Sequence, residues 1–489
     1  MDRKSAPQEE QSNQGSLLHR SLGSWHVVAI IVSSMIGTGV FIRPASMMQD
    51  VGSTSLLLSA WLFGGVISLV LALCYAELAT SMPEAGGEYV FLRAAFGELP
   101  AFMFGWMRFV VGAGIQAALA VGIAVFLSDL MPHQNPWWQW NMHLGAHHWP
   151  VRFGPKDVIS ISAIGLLAAA NCVRVSAVGT VQAIFATLKV CVPTIIILGA
   201  LAYLVQGHTR PPVPGPTGQD VKLIGFPSAT LAALFAYNGW VGVTMIAGEV
   251  RNTGRRFARN IALGVGAVVL LYLLLNIAYV SVLPLTDFVS ANSGAYPNAP
   301  SVGAKAVREI FGSGVATVTS LIFAVLAAGT LHANLLTIPR VFFSMAKDGL
   351  FFPAFARVHS QNGVPRIAVI LFSLWIAVLA LVGGFDRLTS MATFAVVLFY
   401  ALNVVGLFVL RARFPAIKRP FCVPGYPYLP LAALVVVAWI LYRIVARGAP
   451  DALAALVLLA IGLPVYGLFR WHRSRMKINN SAVVRSAGI

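Results

Sequence analysis

Charge is what this sequence has least of. Only 10% of its 489 residues are charged, against about 25% in ordinary soluble proteins. A soluble chain of this length would hold about three domains, and so few charges cannot cover their surfaces. A multi-domain soluble enzyme is therefore excluded. Disorder is excluded too, because 58% of the residues are hydrophobic and disordered chains are apolar-poor. Cysteine is also scarce. Cys74, Cys172, Cys191 and Cys422 form no CxxC or metal-type spacing, which supports neither a disulfide framework nor a zinc site. His143, His147 and His148 lack the helical spacing of a metal cluster, so no metal is expected. No GxSxG, HExxH or GxxxxGK[ST] pattern occurs, so the sequence points to no enzyme and no cofactor. Residues 1–20 are polar, without the apolar stretch of a signal peptide.

What the chain has instead is long apolar runs, with a mean hydropathy of +0.78. A hydrocarbon core about 30 Å thick needs about 20 residues of helix. Twelve runs meet that length, near 24–49, 55–80, 98–131, 157–173, 179–206, 228–251, 259–283, 311–344, 365–384, 387–411, 429–447 and 451–471. No ten-residue alternation suggests a barrel. The expected fold is an all-α polytopic membrane protein with the lipid bilayer as its surroundings. The formal charge of +17 would suggest nucleic acid in a soluble protein. Sorted by the twelve spans, however, roughly 22 cations fall on one side and nine on the other, which the orientation rule assigns to cytoplasm and exterior. Both termini are expected in the cytoplasm of a cell-membrane protein, and no nucleic acid partner is expected. The Trp- and His-rich segment 132–156 reads as an interfacial aromatic belt. Arg43 and Arg108 fall near span ends, where snorkelling would account for them.

Two spans carry interruptions. The first reads AIIVSSMIGTGVFIRPAS, with Gly37, Thr38 and Gly39 in its middle; the sixth reads ATLAALFAYNGWVGVTMIAGEVRN, with Asn238, Gly239 and Gly242. Irregular backbone at membrane depth is tolerated only inside protein or along a cavity. Breaks five spans apart are the pattern of an inverted-repeat transporter. A helix restarting after Gly37 offers free N–H groups of Thr38 and Gly39 to a carboxylate. The carbonyls around Met35, Phe235 and Ala236 suit an ammonium group. Together they describe the zwitterionic end of an α-amino acid.

The run IIVSSMIGTGVFIRPA and the hairpin CYAELATSMPEAGGEYVFLRAAFG resemble the amino acid–polyamine–organocation superfamily. AYNGW with EVRN, RVFFSMAKDGLFF and RPFCVPGYPYLP extend the likeness over residues 24–470. Within that superfamily the chain is similar to the L-type amino acid transporters, in the prokaryotic branch that resembles eukaryotic light subunits. The resemblance implies five-plus-five inverted repeats in the fold named for the bacterial leucine transporter, with broken helices 1 and 6. The core would span residues 24–411, helices 11 and 12 residues 412–471, and tails 1–23 and 472–489. It implies sodium-independent exchange of neutral L-amino acids, with a proton-coupled symporter or a nontransporting sensor as alternatives. It places carboxylate contacts on Thr38 and Gly39, and ammonium contacts on the carbonyls of Met35, Phe235 and Asn238, with Phe235 as an aromatic gate. An amide at Asn238, beside Ser33 and Ser34, favours neutral substrates, because an amide cannot offset a side-chain cation. Phe394 and Val397 are further candidates for contact with the substrate side chain. His332 reads either as a proton site or as a packing histidine. Glu77, Glu84 and Glu88 are assigned structural hydrogen bonds, and Glu249 with Arg251 a gate or interhelical ion pair. The loop between spans 3 and 4 lacks the cysteine that links eukaryotic relatives to a heavy subunit, so no disulfide-linked partner is expected.

Lys189 lies about ten residues, or about 15 Å, from its span end, near the bilayer centre. A stem of roughly 6 Å cannot snorkel that far, so oxygen partners are required. Carbonyls near Ser34 and Gly37 and the Thr330 hydroxyl are the candidates. The resemblance implies that this lysine takes the place of the sodium ion used by coupled relatives.

Overall fold

The computed structural model describes residues 24–486 except 83–86, 129, 132–134, 145–146, 174–177, 209–221, 246–249, 251–253 and 358–365. Glu84, Glu249 and Arg251 thus lie outside the described residues. In lipid a backbone must satisfy its own polar groups, and the apolar runs accordingly fold as helices. The first run holds α1 (Ser24–Met35) and α2 (Gly39–Val51), bent by 47° at the break. It is followed by α3 (Thr54–Ser81), the short α4 (Glu88–Phe96), then α5 (Glu98–Val110) and α6 (Ala113–Ser128). Two strands, β1 (Trp138–Leu144) and β2 (His147–Phe153), precede α7 (Pro155–Val173) and α8 (Val178–Val205). The sixth run holds α9 (Phe226–Ala236) and α10 (Val241–Met245), and the seventh α11 (Arg255–Val282). Short helices α12 (Leu285–Val289) and α13 (Val302–Phe311) lead to α14 (Ser313–Thr337) and α15 (Pro339–Lys347). The chain ends with α16 (Arg366–Val382), α17 (Phe385–Arg413), α18 (Tyr428–Ala446) and α19 (Pro450–Ser486).

Among the described residues, eight helices and the bent α1–α2 pair are long and apolar enough to cross a membrane. This is a polytopic α-helical membrane protein. The departure from an all-α chain is the β1–β2 hairpin, antiparallel with Trp138 opposite Phe153, inside the segment expected as an aromatic belt. Strand-forming Trp, Val and Phe in both segments explain it. The α3, α11 and α1 helices pack together, as do α2 with α9 and α6 with α14 and α17. Fully buried Trp61, Tyr237, Tyr272 and Trp240 fill their centre. Leu62, Leu198 and Leu270 point outward, at 50%, 59% and 59% exposure, as lipid-facing positions do.

The two ends of the bundle are tied differently. At one end the buried Glu77 accepts from Arg411 Nε at 2.7 Å, from Arg411 Nη2 at 2.6 Å and from the Val423 N–H at 2.7 Å. Nearby, Tyr75 donates to Glu88 at 2.9 Å, so both carboxylates make the structural bonds expected of them. At the other end Lys156 donates to the Pro297 carbonyl at 2.7 Å and Lys305 to the Asp287 carbonyl at 2.8 Å.

Arg43 does not snorkel. Arg43 is 4% exposed and pairs with Asp386 of α17 at 2.5 Å, because the α1–α2 bend turns it into the bundle. Arg108 lies ahead of the interruption between α5 and α6. It packs 5.8 Å from the Phe104 ring centroid, with Glu88 as an electrostatic partner.

Candidate functional site at two interlocked helix breaks

The breaks 36–38 and 237–240 touch. A Cβ on Gly39 would lie 2.9 Å from Ala236 Cα and 3.2 Å from the Phe235 ring. A Cβ on Gly239 would lie 2.4 Å from the Ser34 carbonyl oxygen, and its φ of +138° disfavours any side chain. Glycine is required at both positions because two backbones meet there.

Polar groups accumulate at this contact. A helix start leaves its first N–H groups without intrahelical acceptors. Phe41 and Ile42 both donate back to the Thr38 carbonyl at 3.2 Å. The N–H groups of Thr38, Gly39 and Val40 find no acceptor among the described residues, while the Gly37 N–H faces the Tyr272 hydroxyl. Thr38 Oγ1 and Asn238 Nδ2 are buried without a partner. An unsatisfied buried polar group costs about 1–3 kcal/mol, a cost that an anion bound here would offset. With the positive end of α2 behind it, the cluster suits a carboxylate.

The carbonyl side is partly engaged. The hydroxyl of the buried Tyr272 on α11 lies 2.8 Å from the Met35 carbonyl oxygen and 3.4 Å from that of Ala236. Phe235 O accepts from the Asn238 N–H at 3.1 Å. Each carbonyl has a second lone pair, so an ammonium group still finds acceptors there. Sequence reasoning missed Tyr272. Its signal was a tyrosine within an apolar run, whose hydroxyl needs a partner when buried.

The side chains of the site come from several helices. Asn238 Oδ1 accepts from Tyr400 of α17 at 3.3 Å. Thr38 rests against α6, where a Cβ on Gly122 would lie 2.9 Å from its Cγ2. Phe235 meets Phe385 edge to face at a centroid distance of 5.9 Å. Phe394 and Val397 are buried in α17, yet Phe385 is the α17 ring paired with Phe235. Beside Phe385, Asp386 Oδ2 accepts from the Gly294 N–H at 2.7 Å while its other oxygen holds Arg43. That end of the site is thus closed by an aromatic pair and an ion pair.

Lys189, 2% exposed, ties three helices. Its Nζ donates to the Ser33 carbonyl of α1 at 2.8 Å and to Thr330 Oγ1 of α14 at 2.7 Å. Thr330 is the expected hydroxyl, and the carbonyl, expected near Ser34 and Gly37, is that of Ser33. A cation buried this deep requires such partners. Ser34 itself turns its hydroxyl back to the Ile30 carbonyl. His332 lies apart from this tie: its Nδ1 is 3.1 Å from Asn171 Nδ2 on α7.

A bundle of apolar helices centred on two apposed breaks defines a membrane carrier. The profile of a family described as amino acid permease matches residues 22–456, and the chain belongs to that family, within the amino acid–polyamine–organocation superfamily. It is 27% identical over 452 residues to the serine/threonine exchanger SteT of Bacillus subtilis (strain 168), covering 92% of this chain and 96% of that protein. It is 27% identical over 466 residues to the b(0,+)-type amino acid transporter 1 of Homo sapiens, covering 94% and 90%. Likeness to the large neutral amino acids transporter small subunit 2 of Mus musculus is 26% over 489 residues, covering 96% and 85%.

Proposed function

We propose that the protein exchanges neutral L-amino acids of small to medium size across the cell membrane by alternating access, without sodium. The unpartnered N–H groups of Thr38, Gly39 and Val40, at the start of α2 where it meets the break in the sixth run, carry this reading. A carboxylate meets the α2 start and the ammonium group meets the Met35, Phe235 and Ala236 carbonyls, while Phe235 covers the substrate. The buried amide of Asn238 offers no charge to a cationic side chain, and among the relatives SteT is named for serine and threonine. Lys189 supplies a hydrogen-bonding tie between α1, α8 and α14, where a coupled carrier would need an ion, with Thr330 as its hydroxyl partner.

The reading extends to architecture. Twelve spans are arranged as five-plus-five inverted repeats over residues 24–411, followed by two helices in 412–471. Both termini are cytoplasmic. The absence of cysteine from 132–156 supports a carrier that works without a disulfide-linked heavy subunit, in contrast to the relative named as a small subunit.

Uptake into proteoliposomes tests the substrate class. Labelled serine, threonine, alanine and leucine should enter equally well with sodium or choline outside, and arginine and glutamate should compete poorly. Uptake that needs sodium, or that prefers arginine, overturns this reading.

A further inference from the structure

A second concave site lies away from the helix breaks, at the end of the bundle where Glu77 is held. It is a groove of about 660 Å³ between the first turns of α11 and the segment 419–424, with Leu73 of α3 at its floor. Gly254 and Pro420 bring its walls together: a Cβ on the glycine would lie 3.7 Å from the proline ring. Arg255, Arg256, Arg259 and Arg419 line it, and no acidic residue does among the described residues. Among the described residues Glu77 is 3.8 Å from Arg419 Nε, but Arg411 and the Val423 N–H already occupy both of its oxygens. Arg255, Arg256 and Arg259 are exposed.

These arginines stand where a helix least favours them. The N-terminal end of a helix is already positive, and α11 has no acidic residue in its first turn. An anion in the groove would neutralise both the dipole and the side chains. The location says which kind of anion. The 28 residues of α11 span about 42 Å, longer than the hydrocarbon core of about 30 Å, so its first turns emerge among headgroups. Below Arg259 the same face carries Leu263, Leu270 and Leu274, at 57%, 59% and 41% exposure. A phosphate group in the groove and acyl chains along those leucines would belong to one molecule.

We propose that this groove binds the phosphate headgroup of an anionic phospholipid, whose acyl chains lie along the outer face of α11. Guanidinium groups pair with phosphate oxygens in bidentate geometry. A zwitterionic headgroup brings its own cation and is disfavoured. Binding here does not depend on which amino acid the carrier moves.

Native mass spectrometry of the full-length protein in detergent tests this, with phosphatidylglycerol or phosphatidylcholine added. The wild type should retain a phosphatidylglycerol adduct in preference to phosphatidylcholine. The Arg255→Gln/Arg256→Gln/Arg259→Gln variant should hold phosphatidylglycerol about thirtyfold more weakly. The Arg340→Gln/Lys347→Gln/Arg357→Gln variant, which removes three exposed cations elsewhere, should retain it. If the groove variant does not fold, Arg256→Gln and Arg259→Gln singly should each weaken the adduct about threefold. Equal loss in both triple variants, no preference over phosphatidylcholine, or displacement of the lipid by millimolar inorganic phosphate would each overturn the proposal. The last result would show a site for aqueous phosphate.

Discussion

Replacing Lys189 by methionine should stop exchange while leaving the protein folded. Methionine keeps most of the volume of the stem, so little cavity forms. The variant loses two hydrogen bonds from a charged donor, to Ser33 O and Thr330 Oγ1, worth about 1.5–3 kcal/mol each. It also escapes the cost of placing a cation in the membrane, about 2.5–3.5 kcal/mol on insertion scales. The net change in stability is therefore at most about 3.5 kcal/mol, from the difference of those two terms. The mechanical consequence is larger, because α1, α8 and α14 lose the side chain that joins them next to the break. Serine exchange in proteoliposomes should fall by more than about tenfold, which corresponds to about 1.4 kcal/mol on the transport barrier. Size-exclusion chromatography should still show a monodisperse protein. Exchange within about twofold of wild type, still sodium-independent, refutes the reasoning, since twofold is well under 1 kcal/mol.

Gly239→Ala should abolish exchange, because its Cβ would sit 2.4 Å from the Ser34 carbonyl oxygen at a φ of +138°; Gly242→Ala, where a Cβ meets nothing within 4 Å, should transport normally. Asn238→Asp should raise arginine or lysine uptake relative to alanine, and an unchanged ratio in a folded variant would show that this position does not face the substrate side chain. Arg43→Gln strands Asp386, whose side chain is 19% exposed, and should lower thermal stability by about 1–3 kcal/mol. The double variant Arg43→Gln/Asp386→Asn should recover most of that loss; no recovery would mean that the pair is not what holds α2 against α17.

The breaks were legible in the sequence because interruptions recur at matching positions of the first and sixth spans, which glycines serving helix packing alone would not produce. Lys189 was legible from depth alone, since a cation so far from either interface must find oxygen inside the protein. Its carbonyl partner is Ser33, beside the expected Ser34, and its hydroxyl partner is the expected Thr330. Tyr272 was hidden by distance, lying 237 residues from Met35 along the chain. The Arg43–Asp386 pair spans 343 residues, and only the bend between α1 and α2 turns that arginine inward. Segment 132–156 was read for its aromatic content, and its period-two pairing as a hairpin was overlooked.

Exchange itself is the claim on which the rest depends. The direct measurement is uptake of labelled serine into proteoliposomes that differ only in their contents, empty or preloaded with unlabelled serine. A carrier that can reorient only when loaded should show uptake into preloaded vesicles many times faster than into empty ones, with no dependence on a sodium or proton gradient. Equal uptake into empty and preloaded vesicles, with accumulation driven by an inward proton gradient, would contradict the account.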